Sequence, residues 1–331
     1  MKYITLIFLL SLEACSNVSH YQQETIDLTS EIEVSPETVS NDIVMTPPVQ
    51  LLADDDFLIC MAPGMGRSIL FLDKTTGNTC YWGQMGSGPD DFVSPKCIRQ
   101  KDHRLTIYDV NLRKAVEYEV HSGDSVSLVP IRRQTVQTGE IQLIDLHTMN
   151  HRLSVGLVGI GCPHQFVLLD EGMNVMKSFG DFPMEGLPKD NYLSVYGCLS
   201  SWQNKLFFAC LPTGYVVCYD IDREGNVRKE WEHFLTQPSY DSSRGKWNPD
   251  NKNGIYDMKA TCDYLFLAFS GKAFSEASRL PQNILVFTHD GKLVRNIKCK
   301  DAFIGRLAVD GDYIYASGID DLTRFNWKRL M

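Results

Sequence analysis

Gly311-Asp312-Tyr313-Ile314-Tyr315-Ala316 is a polar turn running into a short strand of aromatic and branched residues. The same unit stands at Asp55-Asp56-Phe57-Leu58-Ile59-Cys60, at Asp102-His103-Arg104-Leu105-Thr106-Ile107-Tyr108 and at Asn150-His151-Arg152-Leu153-Ser154-Val155. It returns at Gln203-Asn204-Lys205-Leu206-Phe207-Phe208 and Cys262-Asp263-Tyr264-Leu265-Phe266-Leu267. Aligning Leu58, Leu105, Leu153, Leu206, Leu265 and Ile314 gives separations of 47, 48, 53, 59 and 49 residues, hence six copies.

Each copy is followed by a second unit, an apolar strand ending in an Asp/Gly turn. Ile69-Leu70-Phe71-Leu72-Asp73, Phe166-Val167-Leu168-Leu169-Asp170, Val216-Val217-Cys218-Tyr219-Asp220 and Ile284-Leu285-Val286-Phe287 show it best. Such turns close hairpins because glycine takes positive φ without steric cost. No window sustains a helical period, so helix content should be very low. Short antiparallel strands in six copies point to an all-β chain, a six-bladed β-propeller with four strands per blade over residues 49–331. A lone four-stranded sheet cannot bury both faces; a closed ring packs each sheet between two neighbours. The alternative is a large β-sandwich or two small β domains. The last copy is short, with Ile314 close to the end at Met331, so a strand within 24–34 is expected to complete the final blade.

Gly83-Gln84-Met85-Gly86-Ser87-Gly88-Pro89-Asp90-Asp91-Phe92 resembles the Gly-x-x-Gly-x-Gly-Pro-x-Glu-Phe segment of TolB-like six-bladed propeller lipoproteins, with Asp91 in place of the Glu. Lys252-Asn253-Gly254-Ile255-Tyr256, Leu265 through Lys272 and Val286 through Gly291 are similar to the later blades of that family. The resemblance implies a propeller in the envelope of a Gram-negative bacterium and implies no reaction. As a phosphate loop the glycine segment fails, since Pro89-Asp90 follows where Lys and Ser/Thr are needed. Its expected role is structural, with Phe92 plugging the junction between blades.

Near the start of the chain stand Lys2, a short apolar run from Ile4 to Leu12, and Leu12-Glu13-Ala14-Cys15. The run is too short to span a bilayer and has the layout of a secretory signal peptide, residues 1–14. The four residues ending at Cys15 resemble a bacterial lipobox, with Glu13 departing from it. Cys15 is therefore expected to carry acyl chains of the palmitate type and to anchor the protein stably. Ser16 after the Cys favours the outer membrane, facing the periplasm or the cell surface. Residues 15–48 read as a lipidated Cys and an acidic tether.

Charge agrees with that division. Lys+Arg 32 against Asp+Glu 41 gives −9, and residues 16–66 hold nine acids and no Lys or Arg. The remaining body is neutral, which argues against a nucleic-acid partner. With 44% hydrophobic residues the chain can bury a large core.

Motifs of chemistry are sparse. His147 and His151 have a spacing that makes a metal pair only on a helix, and Cys162-Pro163-His164 lacks further ligands. Asp250 through Gly254 fails as a calcium loop because Pro249 falls where the first ligand must be. No Gly-x-Ser-x-Gly elbow occurs. Neither a catalytic residue, a metal site nor a cofactor is assigned. Nine cysteines besides Cys15 form no Cys-x-x-Cys pattern, and most are expected to be buried thiols, although Cys210 and Cys218 lie on consecutive strands.

Extra residues enter around the fourth and fifth copies. The longest insert, Thr236 to Asp250, is polar yet carries Tyr240, Arg244 and Trp247, types enriched at binding hot spots. A second loop, Lys272 to Gln282, carries Arg279. Both loops are expected to border one mouth of the channel, where Tyr240, Arg244, Trp247, Tyr256 and Arg279 contact a ligand or partner. The resulting expectation is a membrane-anchored binding or scaffolding lipoprotein for an envelope protein, a glycan or a small ligand. The alternative is an envelope hydrolase or lyase acting on a glycan or peptide at the propeller mouth.

Overall fold

A computed structural model describes residues 26–40, 48–64, 66–122, 126–181, 196–241, 243–318 and 321–331. The expected signal peptide, Cys15 and the first part of the tether lie outside the described residues. Two short strands come first, β1 (Glu31–Val34) and β2 (Glu37–Ser40). Blade 1 is β3 (Gln50–Ala53), β4 (Phe57–Gly64), β5 (Arg67–Asp73) and β6 (Thr79–Gln84). Blade 2 is β7 (Pro95–Lys101), β8 (Arg104–Asp109), β9 (Lys114–His121) and β10 (Ser127–Thr135). Blade 3 is β11 (Gln142–Thr148), β12 (Ser154–Ile160), β13 (Phe166–Leu169) and β14 (Val175–Phe179). Blade 4 is β15 (Gly197–Trp202), β16 (Lys205–Cys210), β17 (Tyr215–Ile221) and β18 (Val227–Phe234). A small hairpin, β19 (Tyr240–Asp241) and β20 (Lys246–Trp247), precedes blade 5, which is β21 (Ile255–Ala260), β22 (Leu265–Phe269), β23 (Asn283–Phe287) and β24 (Leu293–Cys299). Blade 6 takes β25 (Arg306–Asp310), β26 (Tyr313–Ser317) and β27 (Leu322–Asn326) from the end of the chain and β2 from its beginning. The protein is a six-bladed β-propeller of four-stranded antiparallel blades. Its helical element among the described residues is one 3-10 turn at Lys328–Leu330.

The two repeat units of the sequence are the second and third strands of each blade. Leu58, Leu105, Leu153, Leu206, Leu265 and Ile314 are all buried. These middle strands read as unbroken apolar runs because both faces of each sheet are covered: β17 and β22 are buried almost throughout, whereas the outer strands β14 and β18 are largely exposed or half-buried. Each junction between neighbouring blades holds its own core. Phe166, Phe208 and Tyr219 pack between blades 3 and 4, and Leu51, Leu58 and Leu70 meet Tyr315 and Leu322 between blades 1 and 6.

The glycine segment has the structural role expected of it. Phe92 is fully buried in the core between blades 1 and 2 and meets Tyr118 edge-on at 6.4 Å. Lys114 Nζ donates to the carbonyls of Gly88 (2.9 Å), Pro89 (3.1 Å) and Asp91, and sits 4.5 Å from the Phe92 ring centroid. A Cβ on Gly88 would lie 2.6 Å from the Asp91 carboxylate, so any side chain there would displace that carboxylate from the Gly88 amide.

The expectation that 24–34 completes the last blade is corrected. β1 adds in parallel to β24, as a fifth strand on blade 5, with Glu31 opposite Asn296 and Val34 opposite Cys299. Blade 6 is closed instead by β2, antiparallel to β27, with Thr38 opposite Thr323. Pro36 separates the two strands; without an N–H it cannot extend the first ladder, and the chain passes from one blade edge to the next. The tether of 15–48 is thus structured over 26–40. It forms a strap: Ile26 and Leu28 pack on the core between blades 4 and 5, Val34 on that between 5 and 6, Val39 on that between 6 and 1. Asn296 Nδ2 donates to Leu28 O at 2.7 Å, and Arg324 Nε pairs with Glu37 at 2.5 Å.

This topology predicts different effects for two truncations. A chain starting at residue 35 keeps β2 and the closed ring; one starting at 41 leaves the β27 edge bare. By the scaling of about 2–4 °C per kcal/mol for domains of this size, the shorter chain should melt at least about 5 °C below the longer. Equal melting temperatures would contradict closure by β2.

Candidate functional site

The first strand of each blade, β3, β7, β11, β15, β21 and β25, is innermost and lines the channel. All six begin at the same mouth, where a cavity of about 280 Å³ opens. The long connections 235–254 and 270–282 lie on this same face, because a link from an outermost strand to the next innermost one, and a link between second and third strands, both return there.

A polar tie crosses the channel wall at every blade junction. Gln50 of blade 1 accepts from Cys97 N (2.9 Å) and donates to Cys97 O (3.0 Å) in blade 2. Lys96 of blade 2 pairs with Asp145 of blade 3 at 2.5 Å, and Asp145 also accepts the Leu146 amide at 2.7 Å. His147 hydrogen-bonds Ser201 of blade 4 at 2.8 Å. Ser200 in turn accepts from Ala260 N of blade 5 at 2.9 Å. Asp257 accepts the Met258 amide (2.8 Å) and the Leu307 amide of blade 6 (2.9 Å). Arg306 closes the circle, donating to Val49 O (2.7 Å), Tyr256 O (3.2 Å) and Gly305 O (2.8 Å). Buried polar groups are tolerable only when paired in this way.

The wall chemistry is subdued. Burial works against the charge of Lys96, but the Asp145 carboxylate outweighs it and holds the ammonium above the ordinary lysine value. Burial pushes the Cys97 thiol up to about 12 and the Cys198 thiol higher still, so neither ionises at neutral pH. Burial, with the positive charges of Lys96 and Lys259, drives His147 down to about 3.

The structure divides the five candidate binding residues. Tyr256 lines the cavity. Arg279, in the second loop, lies close enough to act on the Tyr256 phenol, and its guanidinium stacks on Phe274 at 5.6 Å. Tyr240 and Trp247 meet instead in their own hairpin, edge-to-face at 5.0 Å, with Arg244 exposed at its tip and paired to Asp241 at 3.3 Å. These three do not line the cavity. The loops are nevertheless zipped together: Asn253 N donates to Lys272 O (2.8 Å), Phe274 N to Asn251 O (2.8 Å) and Ser275 N to Pro249 O (2.9 Å). Asn251, fully buried, donates to Pro212 O at 2.7 Å and accepts from Ser239 N at 2.8 Å, which is the work of the stretch that superficially suggested a calcium loop. His151 donates to Ile221 O at 3.0 Å, well apart from the channel role of His147. Cys218 faces Phe207 across the ladder rather than Cys210, so the two do not form a bridge. Cys60, Cys97, Cys198, Cys218 and Cys299 are buried free thiols.

Residues that sequence reasoning missed are Lys96, Asp145, Lys259 and Arg306. A signal exists in hindsight: Ile144-Asp145-Leu146-His147 and Tyr256-Asp257-Met258-Lys259 occupy equivalent places in blades 3 and 5, each beside a register shift.

The depressed His147 gives a pH dependence with a definite sign. Unfolded imidazole takes a proton near 6.5, whereas the folded one does so only near 3. The unfolded state therefore binds more protons below 6.5, and stability present above that pH is lost as pH falls through it. The residue is only partly buried, so the slope is at most about 1.4 kcal/mol per pH unit. His147→Gln, which can keep the bond to Ser201, should lose less melting temperature than wild type between about pH 7 and 5. Identical pH profiles would contradict a buried neutral imidazole.

The family model of TolB-like 6-blade propeller-like proteins matches residues 29–312. No curated protein matches the chain significantly. Among solved structures, a luciferin-regenerating enzyme is 13% identical with a TM-score of 0.53, covering 88% of this chain and 95% of that one. A calcium-binding protein, regucalcin, from Agrobacterium tumefaciens is 9% identical with a TM-score of 0.52, covering 89% and 95%. A protein from Lactobacillus plantarum is 11% identical with a TM-score of 0.50, covering 84% and 80%. At such identities the three share the fold alone. With the family model matched over most of its length and six blades closed by an N-terminal strand, the chain belongs to the TolB-like six-bladed propeller family.

Proposed function

We propose that this chain is a lipid-anchored lipoprotein of the bacterial envelope whose propeller is a binding module, taking a protein, glycan or small ligand at the mouth where the innermost strands begin. The observation that carries this reading is the division of labour at that mouth. The acids, the histidine and the thiols of the wall are held in inter-blade ties or kept protonated by burial, which suits a rigid rim. Tyr196, 42% exposed, with half-buried Tyr256 and Trp247 and exposed Arg244 and Arg279, offers the aromatic and arginine side chains that anchor partners. The family and the lipobox-like start at Cys15 support the envelope address, on the outer membrane facing the periplasm or the cell surface.

Two measurements test the reading. Cys15→Ala should move the protein from the membrane fraction to the soluble one; sedimentation like wild type would contradict the lipid anchor. In cross-linked pull-downs from envelopes, Arg244→Ala with Trp247→Ala should abolish recovery of the partner that wild type brings down. That double variant should melt within about 5 °C of wild type, since one aromatic pair is worth about 0.5–1.5 kcal/mol. Intact recovery would remove the hairpin from the binding surface.

A further inference from the structure

The charges at the mouth do not cancel. Lys96, Lys259 and Arg306 line the cavity against Asp145 and Asp257, leaving one positive charge in excess. Lys96 is taken up by Asp145. Both oxygens of Asp257 already accept backbone amides, and the Lys259 ammonium only approaches that carboxylate, at 4.0 Å. Arg306 uses Nε and Nη1 on backbone carbonyls, and its Nη2 has no acceptor among the described residues. Nor does any carboxylate among the described residues pair with Arg279, which stands at the rim on a loop pinned by the bond from Ser270 Oγ to Arg279 O, 2.6 Å. Arginine with donors unspent in a partly desolvated cavity is a strong attractor of oxyanions.

We infer that the mouth recognises a carboxylate monoanion, held by Arg306 Nη2 and the Lys259 ammonium, with the Tyr256 hydroxyl and Arg279 completing the site from the rim. This rests on the binding role proposed above and names the chemistry of what is bound. A single negative charge neutralises the excess. A phosphate dianion would overshoot it and face the fixed carboxylates of Asp145 and Asp257. The environment of Tyr256 is consistent: burial raises its phenol pKa, while Arg279 and Arg306 both act against that rise. The hydroxyl therefore stays protonated and can donate to an anion. A cavity of about 280 Å³ takes a sugar acid or the end of a peptide rather than a whole oligomer.

The test is a calorimetric titration of the full chain in detergent at constant ionic strength. The probes are D-glucuronate, N-acetylglycine as a peptide C-terminus, inorganic phosphate and D-glucose. Saturable binding of either carboxylate, with no binding of glucose and weaker binding of phosphate, supports the inference, and the preferred carboxylate tells sugar acid from peptide end. Affinity should fall about tenfold in Lys259→Gln and in Tyr256→Phe, as for one lost charge-assisted hydrogen bond, and about threefold or more in Arg279→Gln. Arg306 is left intact because its bonds hold three carbonyls, and the melting temperatures of the three variants confirm that the ring is closed. Phosphate binding more tightly than both carboxylates, glucose binding as well as glucuronate, no binding of any carboxylate, or binding unchanged in all three variants would each overturn it. Partner recovery that depends on the mouth without carboxylate binding would overturn this inference and leave the binding role standing; carboxylate binding with no partner recovered would support it and restrict the binding role to a small ligand.

Discussion

The pairing of Glu37–Ser40 with Leu322–Asn326 turns six sheets into a ring. Every other blade draws its four strands from one continuous stretch, so the joint between the two ends of the chain is the one place where the propeller can open. Blade 6 depends on it for its outer strand, and the core between blades 6 and 1 depends on blade 6 being complete. The strap then runs back over blade 5, where β1 adds a parallel strand and Glu31 pairs with Lys298 at 3.3 Å. The acidic character of this segment, puzzling in a tether, has a use here: Glu31 and Glu37 meet Lys298 and Arg324 on the blade edges they cover. These are exposed pairs and fix register more than they add stability.

Closure also sets the mouth. Arg306 stands at the start of β25 and reaches Val49, just before β3, and Tyr256, in β21, so it spans three blades including the joint. Asp257 and Leu307 bind blades 5 and 6 beside it. An opened ring would release Val49 from Arg306 and spread the charges that face the cavity. The rim loops are fixed by a different device, the backbone bonds between 249–253 and 271–275, and by Gly254, where a Cβ would lie 2.2 Å from the Gly214 Cα. A rigid rim lowers the entropy lost when a ligand is taken up.

Much of this architecture can be read in the sequence, and the legible part has a physical reason. The middle strands of each blade are buried on both faces, so Leu206-Phe207-Phe208 and Leu265-Phe266-Leu267 stand out as apolar runs at a steady interval. Phe92 reads as a plug because it is the one aromatic side chain in a turn otherwise made of glycines, Pro89 and polar residues apart from Met85. The innermost strands are mixed in character and give one to four residues each to the cavity, about fifty residues or more apart along the chain, so Lys96, Asp145, Lys259 and Arg306 form no motif. Arg279 is legible only as a residue type in a long connection, and Tyr256 only as an aromatic at the head of the strand that follows one. Alternation in Ile32-Glu33-Val34 marks a strand but cannot name its partner, since ladder choice depends on chain direction; Pro36 was the clue that two edges, not one, are involved.

Native-state hydrogen exchange of the full chain tests the central claim, that β2 holds the ring and with it the mouth. If it does, the amides of β2 and β27 should exchange together with those of β25 and β3, in one cooperative opening with a free energy near that of global unfolding. Rapid exchange of β2 and β27 while β3 and β25 stay fully protected would contradict it, because the channel would then be closed without the N-terminal strand.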